Sequence, residues 1–315
     1  MHTCPVLDWE AAWHAALYGP SGFFARGEKP SGHFRTSPLV GPELAEALLV
    51  LLARVDAALG FPPVVDFVDV GAGGGELAFA VRTLATGSLA ARLRVTAVEV
   101  GPFVELPGVQ WVREVPSCVG LLVGHEWLDA IPCPVVRGPS SDPWITRWWP
   151  SLEDGELAEV GSPRDAAWAA AVSGVHGAAL AIDYGHLVSS RRFTLTGYRG
   201  GRQVPPVFDG SCDITAHVAL DACAAAAGGD WVLVSQRDAL SALGLSGSAS
   251  GSGWDWLESA ARAGRIAELR DPGGLGGFGW LLHGCGVRVA DLLPALPGSP
   301  ALPPWRPNPA SFSGG

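Results

Sequence analysis

The run Val64-Val65-Asp66-Phe67-Val68-Asp69-Val70-Gly71-Ala72-Gly73-Gly74-Gly75-Glu76-Leu77 decides the fold. Its opening residues are apolar and rich in Val, the mark of a buried parallel strand covered on both faces. Glycines follow at once, and Leu77-Ala78-Phe79-Ala80-Val81-Arg82 then reads as a helix. Strand, glycine turn and helix together bring bare backbone N–H groups and a helix N-terminus up to a ligand. The spacing then selects among ligands. A dinucleotide fingerprint wants Gly-x-Gly-x-x-Gly, but after Gly71 and Gly73 the third slot holds Glu76. With Asp69 just ahead of the turn, the pattern suits an S-adenosylmethionine site better than a nicotinamide site.

Downstream, Leu93 to Val98 reads as a second strand ending at Glu99, 24 residues beyond Gly75. An acid there can accept both hydroxyl protons of a ribose diol, the usual arrangement in nucleotide-binding α/β folds. Val109 to Glu114 and Val119 to Gly124 supply a third and a fourth strand. The fourth runs into His125-Glu126-Trp127-Leu128-Asp129-Ala130-Ile131-Pro132. Ligands of open α/β sheets sit beyond the carboxyl ends of strands, so Glu126 and Asp129 point at the crevice the glycines line. Read as structure alone, Asp129 caps a helix and Trp127 fills core. Pro134–Arg137 and Trp144–Trp149 suggest an inserted hairpin, and Ala178 to Asp183 a fifth strand. Ile214 to Ala227 reads as a helix with Asp213 as its cap. Asp230–Ser235 and Phe278–His283 are further strands, with a helix at Trp254–Ile266 between them.

Upstream, helices are expected at Asp8–Leu17 and Gly41–Ala58. Between them lie Tyr18-Gly19-Pro20-Ser21-Gly22-Phe23-Phe24 and Gly32-His33-Phe34-Arg35-Thr36-Ser37-Pro38, an aromatic loop that is either pinned to the core or laid over the ligand as a lid. Three segments result. They are an N-terminal helical or lid segment at 1–60, a main domain at 61–290 with insertions at about 134–160 and 186–215, and a Pro-rich, disordered tail at 291–315.

With 48% hydrophobic and 17% charged residues among 315, the chain has ample core material and wholesale disorder is excluded. The net charge is −10 and Lys29 is the single lysine, so neither nucleic acid nor an anionic membrane finds a basic footprint. Six scattered cysteines without a Cys-x-x-Cys pair favour reduced thiols. The histidines lack metal-ligand spacing, so no metal is expected. Met1-His2-Thr3-Cys4-Pro5 does not open a signal peptide, and no apolar run approaches the roughly 18 residues of a membrane span. A cytoplasmic protein is expected.

Taken together these blocks resemble the MidA-like family of S-adenosylmethionine-dependent methyltransferases, which includes a mitochondrial arginine methyltransferase needed for respiratory complex I assembly. The match rests on Tyr18–Phe24, Gly32–Pro38, Asp69–Leu77, Glu99, His125–Pro132, Ile182-Asp183-Tyr184-Gly185, Thr194–Arg199 and Cys212-Asp213-Ile214-Thr215-Ala216-His217-Val218. The resemblance implies an α/β fold, a Rossmann-like class I methyltransferase sheet with an N-terminal helical lid and inserted substrate-binding segments. It implies that Gly71, Gly73 and Gly75 line the methionine end of S-adenosyl-L-methionine, with Asp69 also binding the cofactor. Glu99 would hold the ribose, Thr36, Ser37 and Pro38 would close over the cofactor, and Glu126 and Asp129 would face a guanidinium acceptor on a protein substrate. His33 and His125 depart from the family, which has Asp and Asn there.

Two other classes compete. A nicotinamide oxidoreductase is opposed by Glu76 and by the absence of a Tyr-x-x-x-Lys pair. A non-catalytic assembly factor of the same fold is motivated by His33, His125 and the 13 tryptophans. A serine hydrolase lacks its Gly-x-Ser-x-Gly elbow.

Overall fold

Seven strands form one sheet: β1 (Val65–Val70), β2 (Leu93–Val98), β3 (Val109–Val112), β4 (Cys118–His125), β5 (Val175–Asp183), β6 (Asp230–Ser235) and β7 (Gly279–Cys285). Across the sheet the order is β6–β7–β5–β4–β1–β2–β3. β1, β2, β3, β4 and β5 pair in parallel, whereas β7 runs antiparallel to both β5 and β6. The computed structural model describes residues 8–28, 36–248, 250–295 and 301–307. Cys4, Lys29 and residues 32–35, His33 included, lie outside the described residues.

The strand alternation sorts side chains to two faces. Val65 and Phe67 of β1 enter one core with Leu44, Leu48, Leu51 and Leu52 of the helix α2 (Glu43–Ala58), and with Leu77 and Val81 of α3 (Glu76–Leu84). Val68 and Val70 enter the opposite core with Trp168 of α4 (Ser162–Ser173) and Leu220 of α5 (Leu220–Ala227). The helix α1 (Trp9–Tyr18) opens on Asp8, whose carboxylate caps it by accepting from the Ala11 N–H at 3.1 Å. It lies apart from the sheet. Trp13 and Leu17 pack with Phe23, Cys133, Leu195 and Ile214 in a satellite core that joins the N-terminus to the insertions. Among the described residues no helix is long and apolar enough to cross a membrane, and the described cysteines are free thiols.

Three expectations are corrected. The inserted hairpin exists, but Val135–Arg137 pairs with Leu157–Glu159, while Pro143–Trp148 is helical. Asp142 caps that helix through the Trp144 and Ile145 N–H groups and Pro143 occupies its first turn, start signals that outweigh the aromatic alternation. Asp213 caps no helix. Asp213–Thr215 is a strand paired with Thr196–Arg199, because the β-branched Ile214 and Thr215 find an extended partner, and the helix begins only at Leu220. The tail is ordered at 301–307: Trp305 is 3% exposed, and its backbone N–H donates to the Leu233 carbonyl at 3.1 Å. An indole that can bury its ring and bond its N–H outweighs the local Pro content.

Candidate active site

The site lies beyond the carboxyl ends of β1, β2 and β4. Gly71 and Gly73 take left-handed φ angles of 72° and 59°. Gly71 has a second reason to lack a side chain, since a Cβ there would stand 3.1 Å from the Trp127 ring. The turn is tied to β2 by the Gly71 and Ala72 N–H groups, which donate to the Val98 carbonyl at 3.0 and 3.1 Å. Glu99 accepts from Gly73 N–H through Oε2 and from Gly101 N–H through Oε1, each at 2.8 Å. Each oxygen keeps a lone-pair site beyond these bonds. Asp69 accepts from the Ala78 N–H at 3.1 Å, and burial, with Glu76 and Glu99 adding, raises its carboxyl to about 7.

Two cavities share Phe24, Gly71, Gly73, Glu126 and Ala130 in their walls. The larger, about 410 Å³, sets Val70, Val98, Val100, Val115 and Trp127 around Glu99 and Arg113. The smaller, about 80 Å³, is lined by Thr36, Pro38, Asp69, Glu76, His125, Glu126, Asp129 and Asp213. Apolar walls around Glu99, with Glu126 at the boundary the two cavities share, suit a nucleoside, and a crevice of acids suits a cation.

Glu126 sits at φ 48°, a left-handed backbone unusual outside glycine, and its N–H donates to the Ile182 carbonyl at 2.9 Å. Its Oε1 is buried without a hydrogen bond among the described residues, and His125 Nε2 is 3.5 Å away. Burial, then the charges of Asp129 and Asp213, push the Glu126 carboxyl well up. Burial drives His125 down to about 3, so it is neutral and cannot supply the missing cation. Asp129 is held at Oδ2 by the Tyr184 phenol and by the Thr215 hydroxyl, the latter at 2.7 Å. Among the described residues its Oδ1 has no partner, nor has Oδ1 of Asp213 or of Asp183.

The loop carrying these acids is positioned from behind. Asp183 accepts from the Leu128 and Asp129 N–H groups, both at 3.2 Å. Arg164, buried on α4, donates to the carbonyls of Ile131 (3.1 Å), Ala216 (3.1 Å), His217 (2.8 Å) and Asp129 (2.7 Å). One guanidinium thereby joins the loop after β4 to the strand that bears Asp213. The Tyr18 phenol donates to the Ala130 carbonyl at 3.0 Å, so α1 holds the same loop from the other side.

Of the residues singled out in the sequence, Asp69, Gly71, Gly73, Glu99, Thr36, Pro38, Glu126 and Asp129 meet at this crevice. Two do not line it. Gly75, at φ 77°, turns the chain into α3, and Ser37 is fully buried with its hydroxyl 3.3 Å from Gln236 Nε2. Sequence reasoning gave no site role to Asp213, Asp183, Tyr184 and Thr215, although they stand in the blocks that carry the resemblance, and it did not single out Arg164. Asp183 ends β5 and Tyr184 follows it, so the strand-end rule applied to Glu99 could have found them. Arg164 carries no such signal.

Residues 156–235 match the family described as "Putative S-adenosyl-L-methionine-dependent methyltransferase". The matched stretch includes Asp183, Tyr184, Asp213 and Thr215 and leaves out the glycine turn. Two crystal structures of a protein superfamily from Burkholderia thailandensis are similar over the whole fold. One, described as a "likely methyl transferase" bound to S-adenosyl-homocysteine, is 22% identical with a TM-score of 0.72, over 91% of this chain and 90% of that one. The other, of an uncharacterized member, is 21% identical with a TM-score of 0.70 over the same shares. The likeness shows the fold. It is a Rossmann-like α/β sheet of the methyltransferase type, as the strand order with antiparallel β7 requires. No protein of curated function matches the chain.

Proposed function

We propose that this protein is an S-adenosyl-L-methionine-dependent methyltransferase of the MidA-like kind that N-methylates an arginine side chain of a protein. One conjunction carries the reading. The glycine turn with Glu99 shares a crevice with Glu126, Asp129 and Asp213, three buried acids with unpartnered oxygens. Gly71, Gly73 and Glu99 would hold the cofactor, with Thr36 and Pro38 above it and Asp69 below the turn. The unpartnered oxygens fit a ligand that brings positive charge. When bound, S-adenosyl-L-methionine supplies a methyl group on a sulfonium, already an excellent leaving group.

The chain's remaining task is alignment, which can account for a large part of such a barrier. A guanidinium spreads its charge over three nitrogens and is a poor nucleophile. Glu126 and Asp129 together present a forked set of oxygens that would pair with two of those nitrogens and leave the third to form the new C–N bond as the methyl–sulfur bond breaks, one of the two carboxylates accepting the proton the guanidinium loses. Tyr184 and Thr215 fix Asp129 Oδ2, so Oδ1 is the atom free to take the acceptor's N–H.

The test separates binding from transfer. S-adenosyl-homocysteine binding is measured by calorimetry, and methyl transfer with radiolabelled cofactor into a lysate lacking this protein. Glu126→Gln should abolish transfer and spare binding. Unchanged transfer would remove Glu126 from the chemistry. A wild-type protein that binds the cofactor and labels nothing would be a non-catalytic relative.

A further inference from the structure

A third cavity, about 370 Å³, lies under the inserted segment and includes Tyr184, Thr215, Arg192, Tyr198 and His217 in its wall. We propose that it is a subsite for a carboxylate beside the acceptor guanidinium, so that the preferred acceptor is an arginine with an acidic neighbour. The proposal rests on the arginine-methylating reading above and adds the acceptor's sequence context.

Position is the first argument. Tyr184 and Thr215 line this cavity while their hydroxyls bond Asp129 Oδ2, and Asp129 lines the acid crevice. The two cavities therefore lie on either side of one hydrogen-bonded bridge.

Charge is the second. Among the described residues, the wall of the smaller cavity carries Asp69, Glu76, Glu126, Asp129 and Asp213 and neither Lys nor Arg. The third cavity reverses this, with Arg192 as the only formal charge in its wall. Its histidine does not compete, because burial and then the Arg192 charge lower His217 to about 4. Tyr198 stays a phenol that can donate, raised to about 12 by burial and then by Asp129, Glu126 and Asp213.

The neighbouring arginine supplies the contrast. Arg191 bonds the carbonyls of Trp148 (2.9 Å) and His186 (2.8 Å) and pairs with Asp221 at 2.5 Å. Arg192, the next residue, is exposed and makes no hydrogen bond or ion pair among the described residues. One of the two is structural, and the other is left for a ligand. A substrate complementary to both cavities carries a cation and, a residue away, an anion.

Capped peptides containing Arg-Glu or Glu-Arg, and their Gln and Lys counterparts, test this by calorimetry with S-adenosyl-homocysteine present and by methyl incorporation. The wild type should bind the Glu peptides about fivefold more tightly than the Gln peptides, the upper range for a pair with an exposed guanidinium. Arg192→Ala should erase the preference, and Arg192→Glu should turn it toward Lys, with melting temperatures unchanged. No preference in the wild type, a preference surviving Arg192→Ala, or no binding of any peptide would overturn the subsite. Preference in binding without methyl transfer would instead retain the subsite and sink the catalytic reading.

Discussion

The phenol of Tyr184 donates to Oδ2 of Asp129, joining the end of β5 to the loop after β4 inside the site. Burial is the largest influence on Asp129 and raises its carboxyl, whereas the bonds from Tyr184 and then Thr215 favour the charged form. Tyr184→Phe removes one of those two donors. It should destabilise the fold by about 1–3 kcal/mol, the range for stripping a partner from a buried polar group, with S-adenosyl-homocysteine affinity unchanged. Urea unfolding and calorimetry read the two quantities separately.

Asp69 gives a pH dependence with a definite sign. Its folded carboxyl titrates at about 7 instead of 3.8, because burial opposes the charge. A folded value above the unfolded one means that folding takes up a proton. This group's contribution is therefore present below the unfolded value and lost as pH rises through about 7. The full span, about three pK units, is on the order of 4 kcal/mol. Asp69→Asn keeps an oxygen for the Ala78 N–H and should stabilise the protein at pH 8 relative to wild type, with little effect at pH 4. Denaturant midpoints at the two pH values measure it.

Acceptor binding should release protons. Glu126 and Asp213 are held well above the usual carboxylate range, both chiefly by burial. A bound guanidinium favours their charged forms, so its affinity rises with pH until they are ionised without it. Calorimetry of an arginine peptide in buffers of different ionisation enthalpy reads the protons directly. Glu126→Gln should lower the number released.

Arg164→Met should cost about 3–5 kcal/mol, the scale for disrupting a buried charged network, because it removes a charged donor from the carbonyls of Ile131, Ala216, His217 and Asp129. Arg164→Lys should recover little, since an ammonium cannot span the fork. Thermal melts of the two variants check this.

The sheet and half of the crevice were legible because they depend on short-range signals. β1 and the glycine turn declare themselves in consecutive residues, and Glu99 and Glu126 follow from the rule about strand ends. Asp213 was not legible as a site residue. It reaches the crevice through pairing with Thr196–Arg199, and only the fold supplies that partner. Arg164 was hidden for a related reason. Its partners are backbone carbonyls as many as 53 positions away, and a carbonyl leaves no trace in residue identity. Trp144–Trp149 misled because its aromatic rings imitate strand chemistry while Asp142-Pro143 sets a helix start.

The ordered residues near the C-terminus have a bearing on solubility. β6 stands at the outer edge of the seven-stranded sheet, and such an edge is a template for another chain. Trp305 occupies part of that edge, with its backbone N–H on Leu233 and its indole N–H on the Gly277 carbonyl at 2.9 Å. A chain ended before residue 301 would present β6 bare. It should fold and then self-associate, and light scattering would show this before any assay did.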